Sequence, residues 1–149
     1  MQLATDLKQF RNQFNLNSTN TFTFSSPKIL KNEKVSNAPT AILYLKPTLK
    51  ACPAAGSCRS MCLNLAGNPA YLNNKLKCRS RRDLAFRTNE NLFLRNLVIE
   101  LFRFYSKNRS FKTLGCRLNG VSDHNWLEIP ITITNEDTLY ISNKFNIWV

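Results

Sequence analysis

Long apolar runs are absent from this chain. No segment of its 149 residues is apolar for the about 18 positions that a membrane-spanning helix needs. The opening MQLATDLKQFRNQF also lacks the apolar core of a secretory signal peptide. Both absences predict a cytoplasmic protein with no membrane partner. In that reducing compartment, clustered cysteines bind metal or react more often than they form disulfides.

The motifs of several common enzyme classes are absent as well. The sequence contains no Walker loop, no G-x-G-x-x-G turn, no nucleophile elbow and no H-E-x-x-H pair. These motifs position phosphates, an activated serine or a catalytic zinc ion. Their absence removes the usual support for a nucleotide-binding protein, a hydrolase or a zinc protease.

Acidic residues are scarce. Nine Asp and Glu residues accompany 21 Lys and Arg residues, which leaves a net charge of +12. Such an excess favours a polyanionic partner such as nucleic acid. The alternative is a compositional bias, because lysine, asparagine and isoleucine are common in proteins encoded by AT-rich genomes.

Cysteine, by contrast, is clustered. Three of the five cysteines lie within the stretch ACPAAGSCRSMCLNLAG with the spacing C-x5-C-x3-C, at Cys52, Cys58 and Cys62. The small residues between them let the backbone curl tightly, so that thiolates can converge on one metal centre. An odd total does not suit a framework made only of disulfides.

The number of cysteines in this loop indicates which kind of metal centre it could hold. Three cysteines suit an iron–sulfur cluster with one open iron, whereas a structural zinc site needs four ligands. Cys78 or Cys116 would supply a fourth zinc ligand. Small buried cysteines without a ligand role are the alternative, and Cys116, in a predicted strand, is expected in the core.

The chain divides into a polar arm and one domain. Residues 1–37 are rich in Asn, Ser, Thr and Lys, and we expect a loosely packed arm with at most a short edge strand in NLNSTNTFTFSS. Residues 38–149 are predicted to form a single α/β domain. Its elements are a strand in 38–47, a helix from Pro69 capped by Asn68, a helix over 89–106 capped by Thr88 or Asn89, a strand in 111–120 and a weaker strand near 139–143.

This element order predicts an α/β fold with parallel strands. The chemistry of such folds lies at the carboxyl ends of the strands. The cysteine loop and the NGVSDHNW loop both leave such ends, and they should face the same crevice.

The second loop is polar and ends in a tryptophan. In RLNGVSDHNW, Asn119, Ser122 and Asp123 are candidates for binding a substrate or the amino-acid part of a cofactor, with His124 beside them. The alternative is an ordinary connection in which Ser122 or Asp123 caps the next element.

Basic residues crowd the first long helix. Lys77, Arg79 and Arg82 are the candidate nucleic-acid contacts, since they would neutralise phosphates or the charge of a cluster. The alternative is a solvated basic face without a ligand.

Three segments in this order resemble the phage-encoded gene product eighty-eight family: CPAAGSCRSMCLNLAGN, RSRRDLAFRTNENLFLRNLVIEL and CRLNGVSDHNW. That family carries a C-P-x-A/S-x-x-C-x-x-x-C loop, an Arg-Thr helix and an R-L-N-G-T-S-D-[IL]-x-W segment. The resemblance runs from about Ala38 to Trp126 and implies the host cytoplasm as the location. This chain has Val121 where the family usually has Thr. It has His124 in place of an apolar residue, so we do not expect this histidine to be catalytic.

The family is in turn distantly similar to radical S-adenosylmethionine enzymes. In those enzymes a first strand leads into a three-cysteine loop that holds a 4Fe–4S cluster, as AILYLKP leads into the Cys52 loop here. The resemblance implies a partial (β/α) barrel with parallel strands, and a 4Fe–4S cluster and S-adenosylmethionine as cofactors. A complete barrel needs about 200 residues or more, so we expect a shortened or truncated barrel, incomplete at its apolar C-terminal end KFNIWV. The usual radical spacing is C-x3-C-x2-C, which differs from the spacing in this chain.

Three hypotheses follow. The first is a phage-type iron–sulfur protein with Cys52, Cys58 and Cys62 as ligands, acting as a radical S-adenosylmethionine-like enzyme on an unknown small molecule. The second is a zinc-stabilised basic module that binds nucleic acid. The third is a metal-free structural or host-interaction protein.

Overall fold

Five helices surround a small sheet in the part of the chain that the structure describes. The structure is a computed structural model, and it describes residues 2–16, 21–59, 62, 65, 68–129 and 133–145. In chain order the elements are α1 (Gln2–Gln13), β1 (Phe22–Thr23), α2 (Pro27–Ser36), β2 (Thr40–Leu43), α3 (Pro69–Thr88), α4 (Glu90–Lys107), β3 (Gly115–Arg117) and α5 (Asn135–Phe145).

The expected parallel (β/α) barrel is wrong. The sheet has three strands in the order β1-β2-β3, and only the β2–β3 pair is parallel, because β1 runs antiparallel to β2. The strands are two to four residues long, and most of the described residues are helical. So short a mixed sheet does not close into a barrel; instead, helices cover it.

Both long helices predicted from the sequence are present, and their capping signals explain where they begin. Asn68 Oδ1 accepts a hydrogen bond from the Ala70 N–H at 3.0 Å at the start of α3. Asn89 Oδ1 accepts one from the Leu92 N–H at 3.1 Å at the start of α4. These side chains satisfy backbone donors that have no partner within the helix.

The weak strand predicted near 139–143 is wrong, because this segment belongs to α5. Thr134 and Asp137 form a reciprocal cap there: the Thr134 N–H donates to Asp137 Oδ2 at 2.9 Å, and the Asp137 N–H donates to Thr134 Oγ1 at 3.2 Å. The apolar KFNIWV end, also expected to be strand-like, begins in α5, and its last four residues lie outside the described residues.

The expected loosely packed N-terminal arm is also wrong for the residues that are described. Leu3, Leu7 and Phe10 recur at helical spacing along α1 and are buried. Leu3 and Leu7 pack with Ile99 of α4 and Ile141 of α5 in one apolar cluster. The short edge strand foreseen in this region is β1.

A second apolar cluster lies between the sheet, α3 and α4. Its fully buried side chains include Leu43 at the end of β2, Phe86 of α3 and Phe93 of α4. Because α4 contributes to both clusters, it is the central helix of the fold. Within the described residues, none of the helices combines the length and apolar character needed to cross a membrane.

Glu100 of α4 holds the start of β1. Its buried carboxylate accepts hydrogen bonds from the Thr21 N–H at 2.9 Å, the Thr21 hydroxyl at 2.6 Å and the Phe22 N–H at 3.1 Å. The Asn96 side chain donates to the same carboxylate at 3.2 Å. A buried charge is tolerated only when its hydrogen bonds are satisfied, and these contacts satisfy it.

We predict that the ion pair between Arg95 and Asp137 stabilises the α4–α5 contact in a pH-dependent way. The two side chains are 2.7 Å apart and largely buried. Burial acts to raise the pKa of Asp137, but hydrogen bonds from Arg95 and Thr134 outweigh it and leave the pKa below its ordinary value of 3.8. The stabilisation is therefore present above the pKa of the unfolded chain and is lost as the pH falls through the lower folded value.

A double-mutant cycle measures this contribution. Near pH 7, Asp137→Asn and Arg95→Gln should each lower the free energy of unfolding by roughly 2 kcal/mol, and the double variant should lose much less than the sum. The difference between wild type and Asp137→Asn should shrink in denaturant titrations at about pH 2–3. Additive losses, or a difference that persists in acid, would contradict this role.

Candidate functional site

The two loops that follow β2 and β3 meet at the carboxyl ends of the parallel pair. β2 and β3 are in register from Thr40 opposite Gly115 to Ile42 opposite Arg117. Beyond the strands, the Gly120 N–H donates to the Leu43 carbonyl at 2.9 Å. The structure thus brings the cysteine loop and the NGVSDHNW loop to the same edge of the sheet, as the parallel pairing requires.

Gly120 is needed for this close approach. A Cβ atom at position 120 would lie 2.5 Å from the Tyr44 ring and 2.7 Å from the Leu43 carbonyl oxygen. Both atoms would have to shift, and the carbonyl belongs to the backbone of β2. Only glycine therefore lets the second loop pack against the end of β2.

Cys52 is buried where the two loops touch. The Asp123 N–H is shared between the Ala51 carbonyl oxygen at 3.0 Å and Cys52 Sγ at 3.3 Å. Burial raises the pKa of the Cys52 thiol, the Asp123 N–H opposes that rise, and the charges of Cys62, Asp123 and Cys58 add to it. A backbone N–H directed at a cysteine sulfur is the kind of contact that tunes metal-bound thiolates.

The other two loop cysteines lie within electrostatic reach of Cys52. Cys58, in the short 3-10 turn Ser57–Arg59, is exposed, and Cys62 is half-buried. None of the five cysteines, all of which are described, forms a disulfide. Among the described residues, no three histidine, cysteine or carboxylate side chains are close enough together to hold a metal ion.

The start of the cysteine loop is anchored to α3 through a threonine. Thr48 Oγ1 donates to the buried carboxylate of Asp83 at 2.6 Å, and the Thr48 carbonyl accepts from the Cys52 N–H at 2.7 Å. Arg87 Nε holds the other Asp83 oxygen at 2.9 Å. This anchor was not predicted from the sequence, although Asp83 is the only acidic residue in the basic run RSRRDLAFR.

Asn119 organises the second loop. Its Oδ1 accepts from the Trp126 indole N–H at 2.7 Å, the Ser122 hydroxyl at 3.2 Å and the His124 N–H at 3.3 Å. Its Nδ2 donates to the His124 carbonyl at 3.0 Å. Asn119 is therefore committed to holding the loop, and its role is to position the residues around it.

Ser122 and Asp123 play different parts. Ser122 is buried and donates its hydroxyl to Asn119, whereas the side chain of Asp123 is exposed and its backbone N–H makes the contact with Cys52. The short 3-10 turn Trp126–Glu128 begins after Asn125, which makes no side-chain cap. The capping role considered for Ser122 or Asp123 is therefore not seen at this turn.

His124 packs among aromatic rings beside the thiol. Its ring lies edge-on to Phe86 and Trp126, with centroids 5.3 and 5.0 Å away. Both ring nitrogens are buried, and within the described part of the chain neither has a hydrogen-bond partner. The His124 ring therefore forms an aromatic cluster with Phe86 and Trp126.

The two remaining cysteines lie outside the two loops, one on α3 and one on β3. Cys78, half-buried on α3, lines a cavity with Arg79 and Arg82. Cys116 is exposed on β3, and not in the core as the sequence analysis expected, because its strand is an edge of the sheet.

The three candidate nucleic-acid contacts do not form one face. Arg79 and Arg82 are 6% and 7% exposed, whereas Lys77 is exposed. A solvated basic face is therefore the wrong description for the two arginines. Arg79 stacks on the Tyr44 ring, 4.9 Å from its centroid.

A separate cavity of about 440 Å³ lies at the opposite end of the sheet. Its wall includes Phe24, Pro39, Glu100, Phe104 and Phe111. The amino ends of β2 and β3 are on that side, so this cavity has no contact with the thiols, and we place the candidate chemistry at the cysteine edge.

Comparison with known proteins yields one match. A family model described as Gene product 88 matches residues 8–138. Neither the curated proteins nor the solved structures that were compared include a match.

We predict that Asn119 determines the shape of the second loop. Asn119→Ala should lower the free energy of unfolding by roughly 1–3 kcal/mol, because three partly buried donors lose their shared acceptor. In a Trp148→Phe background, the emission of Trp126 should shift to longer wavelength as its indole becomes solvated. Asn125→Ala, an exposed neighbour in the same loop, is the matched control, and an equal effect of both variants would contradict the prediction.

We also predict that alkylation separates the cysteines. In the reduced, metal-free protein at about pH 8, iodoacetamide should modify Cys58 well before Cys52, because burial both shields the Cys52 thiol and raises its pKa. Burial also raises the pKa of Cys116, so Cys116 should react more slowly than Cys58. Peptide mass spectrometry over time measures each rate. In denaturant the three rates should converge. Equal rates for Cys52 and Cys58 in the folded protein would show that Cys52 is not buried.

Proposed function

The chain belongs to the gene product 88 family, and we propose that Cys52, Cys58 and Cys62 of its cysteine loop hold a 4Fe–4S cluster. The family match covers most of the chain. We further propose a phage origin and a place in the host cytoplasm, where a reducing environment would keep such thiols available.

The observation that carries this proposal is the contact between Asp123 and Cys52. A backbone N–H from one loop is directed at the buried sulfur of another, 3.3 Å away. Hydrogen bonds of this kind stabilise the negative charge that a cluster places on its thiolate sulfurs. They also orient the sulfur, so one ligand of the proposed site is already fixed.

The donor set agrees with a cluster in its chemistry. Three thiols on one loop provide the soft ligands that iron–sulfur clusters need. Among the described residues, no three possible ligands are close enough together to hold a metal ion, so cluster binding requires the three cysteines to move closer together. Arg79 lies within electrostatic reach of Cys62 and would offset the charge of a thiolate cluster.

The cluster would supply electron transfer or an open iron for a further ligand. We propose S-adenosylmethionine as that further ligand. Ser122 and the exposed Asp123 carboxylate are the nearby polar groups, and Asn119 positions them. The sheet is a three-stranded mixed sheet and not a barrel. The proposal of radical chemistry is therefore supported only by the order of β2 and the cysteine loop that follows it.

Zinc is the rival metal for the same loop, with nucleic acid as the partner in that hypothesis. A closed zinc site needs a fourth ligand. Cys78 lines a cavity with the buried arginines, and Cys116 is exposed on the edge strand. The contacts of the described residues therefore favour the three-thiol cluster over a four-thiol zinc site.

Anaerobic reconstitution tests the proposal. With iron and sulfide, the wild-type protein should turn brown, with broad visible absorption, and should retain about four iron and four sulfide per chain after desalting. Cys52→Ser, Cys58→Ser and Cys62→Ser should each lose most of both. Cys116→Ser, an exposed cysteine on the same sheet, is the matched control and should retain them.

Other outcomes identify the alternatives. A colourless wild-type protein that retains one zinc per chain would contradict the iron–sulfur proposal in favour of zinc. A protein that retains neither metal would contradict both.

A further inference from the structure

A cavity of about 300 Å³ lies between α3, β1 and the end of β2. Its wall is formed by side chains that carry positive charge or donate hydrogen bonds: Thr23, Ser26, Tyr44, Lys75, Cys78, Arg79 and Arg82. No carboxylate is among the described residues that line it. The wall thus concentrates three cations and three hydroxyl groups around one space.

The two arginines that line this cavity are almost completely buried. Arg79 is 6% exposed and Arg82 is 7% exposed. Guanidinium groups are rarely removed from water to this extent, because they lose their hydration. Their placement in a wall whose described residues include no carboxylate gives the cavity a positive charge, which favours an anionic ligand.

The charges within the wall repel one another. Burial lowers the pKa of Lys75, and the charge of Arg79 lowers it further. Burial likewise lowers the pKa of Arg82, and Arg79 again acts in the same direction, although Cys78 and Glu100 oppose it. An anion in the cavity would remove this repulsion.

The start of α2 adds to the positive field. Ser26 caps this ten-residue helix, accepting the Ile29 N–H on its Oγ at 3.2 Å, and Ser26 also lines the cavity. The amino end of a helix carries partial positive charge. The cavity therefore combines a helix terminus with two buried guanidinium groups.

We propose that this cavity binds a phosphate group of a small molecule. Arginine forks match the geometry of tetrahedral oxyanions, and hydroxyl donors complete the coordination. The volume admits one phosphate with a small organic substituent, and the burial of Arg79 and Arg82 excludes contact along the backbone of a nucleic acid. None of the three loop cysteines lines the cavity, although Arg79 lies within electrostatic reach of Cys62. The inference does not rest on the proposed cluster.

Calorimetric titration of the full-length protein with inorganic phosphate tests this inference, with chloride at the same ionic strength as the reference. Phosphate should bind saturably at about one per chain. Arg79→Gln and Arg82→Gln should each weaken binding at least about tenfold, as expected for the loss of a charged hydrogen-bond donor. Lys77→Gln removes one exposed charge from the same helix and should bind phosphate like the wild type.

Lys75→Gln provides a second test in case the variants of the two buried arginines fail to fold. Lys75 is half-buried, so its replacement should leave the core intact, as circular dichroism would verify, and should still weaken phosphate binding. A wild-type protein that responds to phosphate no more than to chloride overturns the inference. So does equal weakening in Lys77→Gln and Arg82→Gln, since that would reflect net charge alone.

A further titration identifies the source of the phosphate. A nucleoside monophosphate should compete with inorganic phosphate, whereas an oligonucleotide without a terminal phosphate should not. Displacement by that oligonucleotide would overturn the small-molecule assignment and favour nucleic acid.

Discussion

The parallel pairing of β2 with β3 is the contact on which the candidate site depends. The pairing spans only three residues, but it directs two loops to the same edge and continues beyond the strands through the Gly120 N–H to the Leu43 carbonyl. It thereby brings the backbone of Asp123 onto the buried sulfur of Cys52. Without this pairing, the NGVSDHNW loop and the cysteine loop would not meet at the same edge of the sheet.

Helix α4 makes so short a sheet possible. A strand pair of this length has little stability of its own. The helix supplies Phe93 to the cluster beneath the sheet and Glu100 to the backbone of β1, and its other face packs on α1 and α5. The buried carboxylate also lies near Arg82, so the central helix contributes to the electrostatics of the proposed phosphate cavity.

The sequence was informative where local signals and packing agree. The caps at Asn68 and Asn89 predicted α3 and α4, and parallel pairing predicted that the two loops meet. Helix α5 was missed because Tyr140 and Ile141 favour strands, although the reciprocal Thr-x-x-Asp cap before them signals a helix. The burial of the arginines depends on which face of α3 meets β1, and a charge pattern alone carries no such information.

Native mass spectrometry of the anaerobically reconstituted protein tests the central claim most directly, because it weighs the intact chain together with whatever it holds. The account predicts a mass increase equal to four iron and four sulfide on each chain, and its loss in Cys52→Ser. An increase equal to a single zinc ion, or an unchanged mass after reconstitution, would contradict the assignment of an iron–sulfur site to this loop.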